Sequence, residues 1–432
     1  MTAEIVIMNK RGVAIAADSA VTAAVDGGVK IFPSANKVFT LSKYHPVGVM
    51  IYNSAEMLGI PWEVAVKTYR EELGDKSFSH LEDYTIDFLR FLETHAGLFP
   101  EQVTKEFPKT EVRTLFVSIR ETIFREIRNV LTHQSKLEIN DPEELIDTII
   151  EANYSRAKDM AVFEDNNGEA WSKETIKEIE KEYLAIITEI RDEVFQDTEI
   201  LTSKQKRKLT DTAKLALTKA VGAAGYTGVV ITGYGDSDYY PALSSFEVYG
   251  NIGGRVRFIW NKNKSIHVND DTNAAIVPFA QSEMVKMFME GIDPSYQLTI
   301  NEAVSSSIRT TADVLVQNFS NEAKEEKDRL VDNIVGKVTK EISDTLSKEK
   351  WKHFIQPILS VLGSLPKTEL ASMAESLVNL TSMKRHISSV SETVGGPIDV
   401  ALISKGDGFV WIKRKHYFDK DLNYHFFANY FR

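Results

Sequence analysis

The first fifty residues carry four short apolar runs, and the punctuation between them points to β-structure. AEIVIMN and GVAIAAD are divided by Lys10-Arg11-Gly12, and KVFTLS and PVGVMIYN by Lys43-Tyr44-His45. Runs this short, bounded by turn residues, read as strands joined in two hairpins that pack as one small sheet. Pro46 and Gly48 then fall at or near a strand start, where a missing N–H is tolerated. Ser54 offers an N-cap to AEMLGIPWEVAVKTYREEL, a helical stretch that Pro61 kinks or divides. A second helix over about 80–93 places Leu81, Tyr84, Phe88, Leu89 and Leu92 at helical spacing.

The character changes near residue 98. The next stretch is charged, nearly free of glycine and helical in period, with VRTLFVSIRETIFREIRNVLTH amphipathic and Pro142 in the first turn of a following helix. Two more helices are expected over 172–192 and 203–221. β-Structure returns in YTGVVITGYG, FEVYGNIGG and RVRFIW, and a helix follows over about 281–290. Residues 294–350 form a second charged helical stretch. A helix over about 368–388 leads into GGPIDVALISKGDGFVWIKRK, a hairpin turning at Gly406-Asp407-Gly408. The expected organisation is a core in three parts, 2–97, 223–292 and 365–432, interrupted by helical insertions at 98–222 and 293–364. Strands grouped apart from helices give an α+β layered fold.

Composition narrows the function. With 432 residues, 43% hydrophobic and 26% charged, the chain reads as soluble and globular. Its net charge of −11 argues against a broad nucleic-acid surface. Cysteine is absent, which excludes disulfides, thiolate metal sites and a cysteine nucleophile. The nine histidines are scattered and form no close metal pair, so no metal is expected. No apolar run approaches the roughly 18 residues of a membrane span, and MTAEIVIMNKRG lacks the layout of a signal peptide. A cytoplasmic protein without a membrane partner is expected.

The chemistry concentrates at the N-terminus. Thr2 follows Met1 directly, and a small residue there permits Met removal. That would leave a free α-amine, of unperturbed pKa near 8, on the same residue as the hydroxyl. Nucleophile and base would then share one residue. The segment TAEIVIMNKRGVAIAADSAVT resembles the start of mature proteasome β-subunits and of the related bacterial heat-shock peptidase. In that family Thr, a strand, a tight turn, a second strand and Asp-Ser or Asp-Gly come in this order. Asp18 stands sixteen residues after Thr2, as the family's catalytic pair does. A hairpin brings its outer ends together, so Asp18 returns to the side of Thr2. Thr22 falls at the family's substrate-contacting threonine.

The resemblance implies more by context. A lysine just before the third strand lies beside the nucleophile in the family, and Lys37 fits after three extra loop residues. Lys30 is the other candidate and resembles a secondary family lysine. Family members place glycine after VGVMIY, where backbone N–H groups form the oxyanion hole. Here Asn53 and Ser54 stand instead, as oxyanion or substrate contacts or, alternatively, as the cap of the next helix. Near the C-terminus, ETVGGPIDVALISKGDGFVW resembles the closing hairpin. The family's accessory Asp and Ser before the glycines are replaced by Ser391 and Val394. Glu392 lies one residue off, and Ser282 is a weak counterpart of the other accessory serine. The resemblance covers about 2–97, 225–290 and 365–415, and neither insertion has a family counterpart.

It implies a four-layer αββα sandwich of the N-terminal-nucleophile hydrolase type with two helical insertions. The implied activity is threonine-type hydrolysis of an amide or peptide bond, without a cofactor. Expected partners are a peptide or protein substrate, further copies in a homo-oligomer, and a protein bound through the insertions. The competing class is a non-catalytic scaffold of the same core that binds partners. Among other signals, Gly-Tyr-Gly before Asp236 and Asp238 lacks the lysine and helix start of a phosphate loop and reads as a strand-ending turn. The run 204–208 reads as a solvated helix face. The aromatic tail RKHYFDKDLNYHFFANYFR packs back onto the domain or offers an exposed partner-binding segment.

Overall fold

The computed structural model describes residues 3–25, 28–32, 34–95, 97–132, 142–196, 201–223, 225–319, 324–387, 395–416, 418–419, 421–425 and 428. The chain opens with β1 (Ala3–Asn9), β2 (Gly12–Ala17), β3 (Val21–Val25), β4 (Gly28–Phe32), β5 (Val38–Thr40) and β6 (Val47–Asn53). A small hairpin, β7 (Glu56–Met57) and β8 (Ile60–Pro61), precedes α1 (Trp62–Leu73) and α2 (Leu81–Thr94). Four helices follow: α3 (Glu101–Thr132), α4 (Pro142–Asp159), α5 (Lys173–Val194) and α6 (Ser203–Thr218). Next come β9 (Thr227–Gly233), β10 (Ala242–Ile252), β11 (Arg255–Trp260), β12 (Ile266–His267), β13 (Ala274–Ala280) and α7 (Glu283–Glu290). The chain continues with α8 (Pro294–Phe319), α9 (Lys324–Lys350), a π-helical turn at Trp351–Ile355, α10 (Gln356–Leu362) and α11 (Lys367–His386). It closes with β14 (Asp399–Ser404) and β15 (Gly408–Lys413). The fold is α+β, and its sheets are antiparallel wherever their register is described.

Two compact units divide the chain. The first comprises Met1–Ala35, His267–Ser404 and Val410–Arg432. Its five-stranded sheet has the order β13-β1-β2-β14-β15. Ala3, Ile5 and Ile7 of β1 and Ala14 and Ala16 of β2 point to one face, where they meet Leu370, Ala374, Leu377 and Val378 of α11. The alternation is the period-two rule of strands, and the small alanines of β2 let the helix lie close. Val6, Met8, Val13, Ile15 and Phe279, on the opposite face, are fully buried too. Asn9 ends β1 by donating to the carbonyls of Leu362 (2.8 Å) and Leu365 (3.0 Å).

The second unit comprises Asn36–Ile266 and Lys405–Phe409. Its main sheet runs β11-β10-β9-β6-β5, with β12 on β10. Val49, Ile51, Val229, Ile231 and Phe246 pack with Trp62, Tyr69, Phe88 and Leu92 of α1 and α2. Gly228 stands opposite Tyr52, and a Cβ there would lie 1.9 Å from the Tyr52 ring. A separate apolar cluster joins α3–α6 to the end of β10 through Phe116, Ile187, Leu209, Tyr249 and Ile252.

Several expectations need correction. The two N-terminal hairpins belong to different sheets: β1–β2 pairs with β13 and β14, and β5–β6 with β9. Partners far along the chain, not neighbouring turns, decide sheet membership. The loop expected ahead of Lys37 contains the hairpin β3–β4. Ser54 does not cap a helix. Its Oγ donates to Glu56 O (2.8 Å) and accepts from Glu56 N–H (3.2 Å), and the chain makes β7 and β8 first. Leu58 (φ 56°) and Gly59 (φ 77°) are left-handed there, so a helix cannot run through, and Pro61 becomes the residue before Trp62. Within 101–219 the helices are interrupted by isolated bridges, Val162 with Lys219 and Glu164 with Ala170. Elsewhere the expected starts hold: Ser172 accepts from Thr175 N–H (3.2 Å), and Thr202 forms a capping box with Gln205.

Candidate active site

Thr2 lies outside the described residues, as do Ser391, Glu392 and Val394. The geometry next to Thr2 begins at Ala3. Ala3 N–H donates to Asp18 Oδ1 (3.1 Å), and Asp18 N–H donates back to Ala3 O (3.1 Å). The other carboxylate oxygen, Oδ2, accepts Gly395 N–H (2.9 Å). Asp18 is buried, 1% exposed, so its carboxylate needs such donors. One side chain thus ties the start of β1, the end of β2 and the segment before β14. Ser19 reinforces the tie: its N–H donates to Gly395 O (3.2 Å) and its Oγ to Pro397 O. Gly396 is left-handed at φ 79°, a turn that a side chain would strain.

Two further charges lie in the same unit and were not singled out from the sequence. Glu4, Ala17 and Asp399 are register partners in one cross-strand row, and all three are buried. Asp399 accepts Lys415 N–H (2.8 Å) and the Lys415 ammonium, which fastens the start of the tail to β14. A charged residue inside an otherwise apolar strand, as in AEIVIMN and PIDVALIS, is the signal that marks both carboxylates.

The second unit holds Lys37, Asn53 and Ser54. Lys37 precedes β5, its carbonyl accepts Ile51 N–H (2.9 Å), and it is 4% exposed. Lys30 differs: it is exposed on β4, with its ammonium 5.2 Å from the Phe32 ring. Burial therefore separates the two candidate lysines. Asn53 ends β6 at φ 73°, one of three non-glycine residues with positive φ among those described. Its Nδ2 donates to Tyr226 O (2.8 Å). Asparagine is among the residues that tolerate this left-handed state, and here its amide is held by the distant Tyr226 carbonyl. Trp62 Nε1 donates to Thr227 Oγ1 (2.9 Å), which packs α1 beside the strand pair that ends at Asn53.

Thr22 lies on β3 opposite Ile31. Ser282 precedes α7 and makes no side-chain cap. The Gly-Tyr-Gly segment ends β9 in a turn that grips α2. Asp238 Oδ2 accepts from Gly235 N–H (2.8 Å) and Leu81 N–H (3.0 Å), and Oδ1 lies 2.7 Å from His80 Nδ1. The carboxylate bond and charge raise the His80 pKa above its ordinary value. Burial alone would raise Asp238, but the His80 ring and the two N–H groups outweigh it and hold Asp238 below the usual range. Among the described residues no group of three His, Asp or Glu is placed to hold a metal, and no helix is long and apolar enough to cross a membrane. Comparison with protein-family models and with curated proteins finds no match for this chain.

Proposed function

We propose that this chain is a proteasome-like, threonine-type hydrolase of amide or peptide bonds, with Thr2 as an N-terminal nucleophile after removal of Met1. On this reading the two sheets are the inner layers of a four-layer αββα sandwich, and α3–α6 and α8–α10 are helical insertions. The observation that carries the proposal is the tether of Asp18. The carboxylate sixteen residues after Thr2 binds the N–H of the very next residue, Ala3, at 3.1 Å. Two further features support it: the burial of Lys37 and the left-handed Asn53.

In the proposed reaction Thr2 Oγ adds to the carbonyl carbon, and its own α-amine takes the hydroxyl proton. Lys37 supplies a positive charge that favours the deprotonated amine and hydroxyl, and Asp18 is the carboxylate assigned to hold that lysine. Backbone N–H groups at Asn53 and Ser54 receive the oxyanion. Collapse breaks the C–N bond, and the leaving amine takes its proton from the Thr2 ammonium. Water then cleaves the acyl ester and restores the hydroxyl. Thr22 contacts the substrate, a peptide or a protein. No cofactor enters, and the working form is a cytoplasmic homo-oligomer.

The test is turnover of a fluorogenic peptide panel. Thr2→Ala abolishes it and Thr2→Ser retains part of it. Turnover unchanged by Thr2→Ala, or none in the wild type, would favour the competing scaffold that binds a partner through its insertions.

A further inference from the structure

The second unit carries a cleft of about 450 Å³ between α1 and α2, the scale of a small-molecule site. Helical spacing sets its two walls. Tyr69, Glu72 and Leu73 lie at i, i+3 and i+4 on α1, and Asp87, Arg90, Phe91 and the C-cap His95 at i, i+3, i+4 and i+8 on α2. Gly74, left-handed at φ 53°, ends α1, and Lys76 joins the lining from the loop beyond it.

The floor is aromatic. Tyr69 is 2% exposed and meets Phe88 and Phe91 edge-on, with ring centroids 5.0 and 5.3 Å away. That packing aims its hydroxyl at Asp87, to whose Oδ2 it donates (3.1 Å). Burial, with the Asp87 charge beside it, raises the Tyr69 pKa, so the hydroxyl stays a donor. Phe91 is buried too, and its ring lies 5.0 Å from that of His95.

The charges in the walls are unequally matched. Both oxygens of Asp87 are taken, Oδ2 by Tyr69 and Oδ1 by Lys76 Nζ (3.0 Å). Glu72 is half used: its Oε1 lies 2.9 Å from His95 Nε2, and its side chain is 53% exposed. Arg90 is exposed, and its guanidinium makes no hydrogen bond or ion pair among the described residues. A free guanidinium fork suits a planar oxyanion, which it binds through two parallel bonds. Two carboxylates in the same walls oppose a multiply charged anion such as phosphate. Lys76 and Arg90 balance Glu72 and Asp87, so a neutral, dipolar ligand meets the cleft without excess charge. We infer that this cleft binds a small zwitterion, a free amino acid or a short peptide, with its carboxylate on Arg90 and its ammonium on Glu72.

The test is titration calorimetry on the full chain carrying Thr2→Ala, which keeps a peptide probe intact under the proposed chemistry. The probes are glycine, glycylglycine, glycylglycinamide (no carboxylate), N-acetylglycylglycine (no ammonium) and inorganic phosphate. Glycylglycine binds, and the amide and the acetyl derivative each bind at least about tenfold more weakly, the loss of one charge-assisted contact. Glycine bound as tightly as glycylglycine marks a free amino acid as the ligand, and glycine bound more weakly marks a peptide. Arg90→Gln changes an exposed helix position, keeps the wild-type urea midpoint, and lowers the affinity for glycylglycine by the same factor. Glu72→Gln erases the difference between glycylglycine and its acetyl derivative. Neither zwitterion binding up to about 10 mM overturns the inference. Affinity unchanged by Arg90→Gln, or phosphate bound as tightly as glycylglycine, overturns it equally.

Discussion

Replacing Glu111 by Gln should cost about 3–5 kcal/mol, more than a surface change of the same kind by an order of magnitude. Glu111 on α3 and Arg257 on β11 are both 0% exposed, with Oε1 and Nη2 3.4 Å apart. The Arg257 guanidinium lies between the rings of Phe163 (4.7 Å) and Phe107 (5.3 Å), which offer a favourable face but no acceptor. Burial pulls the Arg257 pKa down from its ordinary value, and Glu111 is the opposing charge. Glu111→Gln leaves a charge without its counterion in that site while preserving shape and the acceptor for Ala223 N–H (3.0 Å). The double change E111Q/R257M removes both charges and keeps most of the volume, so it should recover most of that loss. Because the chain has two compact units, the readout is urea unfolding followed by hydrogen exchange, which reports α3–α6 separately. A Glu111→Gln cost below about 1 kcal/mol, or a double variant no better than Glu111→Gln, would refute the reasoning.

Asn53→Gly should be near neutral, within about 1 kcal/mol, because the ease of φ 73° for glycine offsets the lost bond to Tyr226 O, whereas Asn53→Val should cost about 1–2 kcal/mol. Urea midpoints compare the two. The His80–Asp238 contact makes stability pH-dependent with a defined sign. His80 is raised in the folded state, so its contribution is full below the unfolded pKa of about 6.5 and is lost as pH rises through the higher folded value. NMR titration of His80 should show the raised midpoint, and Asp238→Asn should bring it back. A midpoint that Asp238→Asn leaves in place would assign the shift elsewhere.

Local patterns were legible in the sequence and long-range pairing was not. Lys10-Arg11-Gly12 marked the β1–β2 turn, Ser172 and Ser203 marked helix starts, and Pro142 opened α4. These signals are chemical and sit within four residues of what they control. Which sheet a hairpin joins depends on partners such as β9 and β14, hundreds of residues away, so β5–β6 was placed with β1–β2. Within Val21–Phe32 the sequence Asp26-Gly27-Gly28 is itself a turn signal, the local cue for the β3–β4 hairpin. Asp18 and Lys37 were singled out by spacing and context, and both are buried. The Gly395 N–H on Asp18, 377 residues away, was not legible, and neither was the left-handed backbone at Asn53. Ser54 shows the opposite error. A good cap residue before an apolar run was overruled by Leu58 and Gly59, whose backbone turns the chain away from the helix.

The central claim is that Thr2 is a processed and reactive N-terminal nucleophile. Intact mass of the purified native protein after incubation with a peptide epoxyketone tests it most directly, because that probe needs both a free amine and its hydroxyl. The account predicts a mass lacking Met1 and carrying one adduct, which Thr2→Ala removes. A mass that retains Met1 and carries no adduct would contradict it.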